Sequence, residues 1–130
     1  MVYRVNLRAF RGAITIDSDT PKQITEHTTN LLQKMFERNS ISDEQVVSIF
    51  FTVTSDIKSF PPAAAARSYG LTDVPLICAQ EMELSGALSL CVRILLHCES
   101  NLSKSEIRHV FLRGAAKLRP DLAEPGDELG

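Results

Sequence analysis

The chain has 130 residues, 44% of them apolar, and a net charge of −2 from 14 Lys and Arg against 16 Asp and Glu. This length suits one domain, able to bury roughly two-thirds of its unfolded surface without staples. The balance excludes the basic footprint of a nucleic-acid binder, and no apolar run approaches the ~18 residues of a membrane span. Three cysteines suit a reducing compartment better than a disulfide scaffold. The first ten residues, MVYRVNLRAF, carry Arg4 and Arg8 where a secretory signal would be apolar, so a cytoplasmic chain is expected. Nine of the 14 cations are Arg, whose planar fork suits two-point contacts with carboxylate or phosphate.

VYRVNLRAFRGAITI (2–16) alternates in part and predicts a strand, bent near Gly12. DSDTPKQ then signals a helix start: Thr20 and Gln23 have capping-box spacing, with Pro21 at the first helical position. Ile24, Leu31, Leu32, Met35 and Phe36 carry the helical period to about Asn39. ISDEQ repeats the capping spacing with Ser42 and Gln45 and predicts a single turn. VVSIFFTVT (46–54) reads as a strand apolar enough to be covered on both faces.

SDIKSFPP (55–62) is a loop, and AAAARSY (63–69) a short helix ending at Gly70. VPLICAQ (74–80) and SLCVRILLHCE (89–99) read as strands, with MELSGAL (82–88) an irregular turn between them. SKSEIRHVFL (103–112) adds a cap and a last short strand. PDLAEPGDELG (120–130) is polar, holds Pro and Gly, and is expected to be a mobile tail to a domain of 1–119. This order predicts an α+β or mixed α/β fold.

The usual reagents of covalent or metal catalysis find no support. Six residues separate Cys91 from Cys98, His97 adjoins the latter, and neighbouring strand residues face opposite ways, so small buried thiols are expected rather than a metal site. His109 reads as a polar residue on a half-exposed strand. SGAL (85–88) lacks the glycines and Lys of a phosphate loop, and no G-x-S-x-G elbow occurs.

What remains is a set of charges embedded in apolar sequence: Arg11, Glu81, Arg93 and Arg119. Burying a charge costs several kcal/mol unless it is paired, so Glu81 and Arg93 either pair with each other or face a ligand. Singly, each reads as a strand-end charge or half of an ion pair. Together they describe a site for an anion with more than one carboxylate, holding a hydroxyl acceptor and no nucleophile. Such a site suits a rearrangement governed by shape and charge.

FRGAITI (10–16), PLICAQEMELSGALSLCVRILLH (75–97), IRHVFL (107–112) and KLRPDL (117–122) resemble, in this order, the small monofunctional trimeric class of chorismate mutase. The resemblance implies a mixed five-stranded β-sheet with helices on one side, three subunits forming a pseudo-barrel. It also implies conversion of chorismate to prephenate in aromatic amino-acid biosynthesis, without cofactor or metal, in clefts between subunits.

Carried over, Arg11 would grip a substrate carboxylate, Arg93 the breaking ether oxygen, and Glu81 the ring hydroxyl. Ile77, Cys78, Ala79 and Gln80 would form a wall with Glu81. Arg67 would lie near the subunit boundary, and Leu118 and Arg119 where the tail begins. On this reading Glu81 and Arg93 serve the ligand and do not pair with each other. Two departures stand out: Phe111 replaces a tyrosine, and Ala64 a lysine. The alternatives are an imine or enamine deaminase of similar trimeric fold and a non-catalytic trimer binding a small carboxylate.

Overall fold

The computed structural model describes residues 5–130; residues 2–4 of the expected first strand lie outside them. Strand β1 (Asn6–Thr15) is followed by helix α1 (Pro21–Asn39), strand β2 (Val46–Val53) and helix α2 (Pro62–Tyr69). Strands β3 (Leu76–Gln80), β4 (Cys91–Ser100) and β5 (Val110–Leu112) complete a five-stranded mixed sheet in the order β3-β2-β4-β1-β5. β4 runs antiparallel to both neighbours, and the edge strands β3 and β5 run parallel to theirs. Among the described residues no helix is long and apolar enough to cross a membrane.

No bulge marks Gly12, where a bend is expected, because β1 pairs with β4 without interruption from Asn6–Ser100 to Thr15–Cys91. Glycine serves a different need there. A Cβ at this position would meet Met35 Sδ at 2.5 Å, so only hydrogen lets α1 lie this close to the sheet. The sheet's irregularity falls instead in β2, between Val46 and Ser48.

α1 starts as its sequence dictates, with Thr20 Oγ1 accepting the Gln23 N–H at 3.1 Å and Pro21 in the first turn. The reciprocal half of the capping box is not made, since the Gln23 carboxamide accepts from the Asp17 N–H at 3.1 Å. Ile24, Leu31, Leu32 and Met35 then bury against Phe10, Ile14, Val92, Ile94 and Leu96. Each fully buried side chain of this size is worth about 1.5–3 kcal/mol, so this helix–sheet seam dominates the fold's stability.

Both helices cover one face of the sheet. Within one chain the opposite face is open: Ile49 and Phe51 of β2 are buried, while Val47 and Phe50 are exposed. Of residues 120–130, expected as a mobile tail, Glu124, Asp127 and Gly130 bond to α1, with Asp127 buried against Arg38.

Candidate active site

Strand register assembles the site. Pairing aligns Phe111, Ala13, Arg93, Thr52 and Ala79 in one row across all five strands. The next row is Arg11, Leu95, Phe50 and Ile77. Side chains alternate along a strand, and the intervening Phe10, Ile14, Val92, Ile94 and Leu96 are buried in the main core. Both rows therefore project from the open face. Arg11, Phe50, Thr52, Arg93 and Phe111 line a cleft of about 300 Å³ there.

Glu81 enters from the end of β3, its N–H bonded to the Val53 carbonyl at 2.9 Å. Its Oε1 accepts a 2.7 Å hydrogen bond from Thr52 Oγ1 and lies 2.6 Å from Arg93 Nε. The two expectations for Glu81 and Arg93 were exclusive, and the structure corrects that: they touch. The contact is close in distance but poorly aimed, for the buried Arg93 Nε–H has no aligned acceptor. Both side chains keep part of their surface open, 31% for Arg93 and 19% for Glu81. The Nε–H is enclosed beside Glu81, and the rest of the Arg93 guanidinium stays partly open on the face of the sheet.

Arg11 is exposed, its Cζ 5.6 Å from the centre of the Phe111 ring. The Phe111 ring is itself buried, packed with Ala13, Cys91 and Ala115. The Arg11 backbone N–H donates to His109 Nδ1 at 2.9 Å, where β5 has not yet begun. Burial, then the charges of Arg11 and Arg119, hold His109 below its ordinary pKa, so the ring stays neutral and able to accept. Farther along the same face, burial pushes the Cys91 thiol up to about 11, outweighing the Arg93 charge that acts the other way. It is a poor nucleophile at neutral pH.

The other expected residues do not converge in one chain. Cys78, Ala79 and Gln80 line a groove with Phe60 and Pro61, and Glu81 borders a cleft with Thr54, Met82 and Leu88. Ile77 is exposed on the open face. Arg67 is exposed on α2, the helix packed against α1 and β3. Leu118 is exposed, and Arg119 is engaged by Asp121 through bonds of 3.1 and 2.9 Å.

Thr52 and His109 are the contributors that sequence reasoning missed. Thr52 had a legible signal, a hydroxyl in phase with Phe50 within the apolar run Ile49–Val53. His109 had none, because its partner is a backbone N–H far away in the chain.

Among the described residues, the open face of this mixed sheet brings two guanidiniums and a carboxylate together. Residues 7–122 match the family model of chorismate mutase type I. The chorismate mutase AroH of Thermus thermophilus is 44% identical over 117 residues, 89% of this chain and 96% of the relative. The chorismate mutase AroH of Bacillus subtilis is 37% identical over 118 residues, 90% and 93% of the two chains. The solved structure of a chorismate mutase from Clostridium thermocellum superposes with a TM-score of 0.83 at 38% identity, covering 85% of this chain and 98% of that one. The chain belongs to the chorismate mutase type I family. The family match ends at Leu122 and leaves residues 123–130 outside it.

Proposed function

We propose that this chain is a chorismate mutase whose site is centred on Arg93, Glu81 and Arg11, and that it works as a homotrimer. The reaction breaks the ether C–O bond of chorismate and forms a C–C bond within the same molecule, so no proton, nucleophile or redox partner is required. The observation that carries this reading is the Arg93–Glu81–Thr52 cluster on the open face. A partly exposed guanidinium suits the ether oxygen as it gains negative charge, and the adjacent carboxylate suits the ring hydroxyl.

An acceleration of about 10⁶ corresponds to ~8 kcal/mol off the barrier. One well-aimed donor supplies about 3–4 kcal/mol of that. The remainder falls to conformer selection and to carboxylate capture by Arg11.

The fold's imbalance supports self-association of the kind a trimer requires. Leu7, Phe50, Ile77 and Leu95 are exposed on or beside the helix-free face, and burying such a stripe between copies would stabilise an assembly. A site completed by a neighbouring subunit would account for why Cys78, Gln80 and Arg67 remain apart from the Arg93 cleft in one chain. A cytoplasmic location agrees with the three free thiols.

The test is loss of chorismate ultraviolet absorbance with the purified chain, with prephenate identified as product. Turnover supports the reaction. Binding without turnover would overturn it in favour of a carboxylate-binding trimer, and ammonia release from an enamine in favour of a deaminase.

A further inference from the structure

The strand edge at β5 is crossed by a strap whose two ends lie on opposite faces of the sheet. On the open face Leu122 packs against the Ala13–Cys91–Phe111–Ala115 cluster, next to the cleft that holds Arg11 and Arg93. On the helical face Asp127 is 1% exposed and receives a two-point contact from Arg38, Nη2 to Oδ1 at 2.7 Å and Nη1 to Oδ2 at 3.1 Å. Arg38 Nε also reaches Glu124 Oε2 at 3.0 Å, and the Glu124 N–H donates to Asp127 Oδ2 at 2.8 Å.

The receiving surface is a helical stripe. Asn30, Lys34 and Arg38 recur at spacings of four, so one face of α1 presents three donors in line. The Gly130 oxygen accepts from Asn30 Nδ2 at 2.9 Å and from Lys34 Nζ at 3.0 Å. Burial alone would push the Asp127 carboxyl up. The hydrogen bonds from Arg38 and the Glu124 amide, with the charges of Arg38 and Lys34, outweigh it and leave it below the ordinary carboxylate range. The clasp is therefore charged and fully partnered at neutral pH.

We infer that Arg38 and Asp127 are positioning residues: their clasp on α1 holds Leu122 against the Phe111 cluster, beside the substrate cleft on the other side of the sheet. The inference rests on the site assignment of the preceding subsection and adds to it a contact whose carboxylate, Asp127, lies beyond the family-matched residues. Arg38 and Asp127 touch no substrate. They act by keeping Leu122 on the Phe111 cluster beside the cleft, so that substrate binding does not have to order this segment. Release of the clasp charges that ordering to binding.

The test compares the full-length chain with Asp127→Asn, Asp127→Glu and Arg38→Gln, reading steady-state kinetics on chorismate beside amide hydrogen exchange without substrate. Asp127→Asn and Arg38→Gln are each expected to raise KM about threefold to tenfold while kcat stays within about twofold. Both should speed exchange across residues 118–129, and Asp127→Glu should recover part of each effect. The double variant should be no worse than either single one, since both remove the same contact. Faster exchange with unchanged KM would overturn the strap's hold on the site. Exchange that does not change would overturn the clasp. A wild-type chain that turns over no chorismate would count against the proposed reaction alone, because exchange is read without substrate.

Discussion

Arg93 Nε lies 2.6 Å from Glu81 Oε1, yet its N–H is not aimed at that oxygen, which already accepts from Thr52 Oγ1. The pair is thus held together by charge while Arg93 keeps hydrogen-bonding capacity in reserve. Such an arrangement suits catalysis better than stability, because a partly exposed ion pair contributes little to folding.

Arg93→Ala is expected to lower kcat by about 10²–10³, the effect of losing one preorganised donor, with a much smaller rise in KM. Arg93→Lys should also fail badly, since a point charge on a flexible stem does not reproduce the planar fork. Steady-state kinetics on both variants decides the matter. A kcat within a few fold of wild type in Arg93→Ala would remove this residue from the chemistry.

Thr52→Val keeps the shape of the side chain and deletes the donor to Glu81. A hydrogen bond to a charged group is worth about 1.5–3 kcal/mol, and partial exposure here places the effect at the low end. The expected loss is about tenfold in kcat/KM with an unchanged thermal midpoint, and Thr52→Ser should restore most of it. An inactive but unfolded Thr52→Val would assign the hydroxyl to the fold instead.

Leu95→Asp places a charge in the second row of the open face, opposite Arg11 and Phe50. Within one chain this exposed position should tolerate the change, so helical content should stay the same by circular dichroism. Sedimentation equilibrium is expected to show the wild type at three chain masses and the variant at one. A wild type that sediments as a single chain would sink the trimer.

Stability should be greatest over a neutral plateau. Burial, the largest cause for both, holds His27 and His109 below the ordinary 6.5, so the fold binds these protons less tightly than the unfolded chain does. Their contribution is full above 6.5 and is lost as pH falls through the lowered values. Burial pushes Cys91 and Cys98 up from 9.0 to about 11, so their contribution is full below 9.0 and is lost as pH rises towards 11. Thermal unfolding followed from acid to alkaline pH should trace this dome. Cys98→Ala should flatten its alkaline limb, and an unchanged limb would show that Cys98 does not govern it.

The element order was legible because its signals are local. Thr20 and Pro21 start α1, the apolar period carries it to Asn39, and Gly70 ends α2, each within a few residues of the feature it controls. The charges interrupting apolar strands at Arg11, Glu81 and Arg93 were legible for a similar reason, since burial makes an unexplained charge expensive. Family-specific strings added the reaction.

What only the tertiary structure decided depends on register and on residues far apart in sequence. Thr52 meets Glu81 because β2 and β3 pair in parallel with Thr52 opposite Ala79. His109 meets the Arg11 amide because β5 docks beside β1 starting at Val110. The polar tail, which composition marked as mobile, finds three donors spaced along one face of α1. A sequence records which side chains the chain carries, whereas a one-residue shift in register reverses which face they occupy. The identity of the charged groups could therefore be read from the chain itself, and their partners only from the folded sheet.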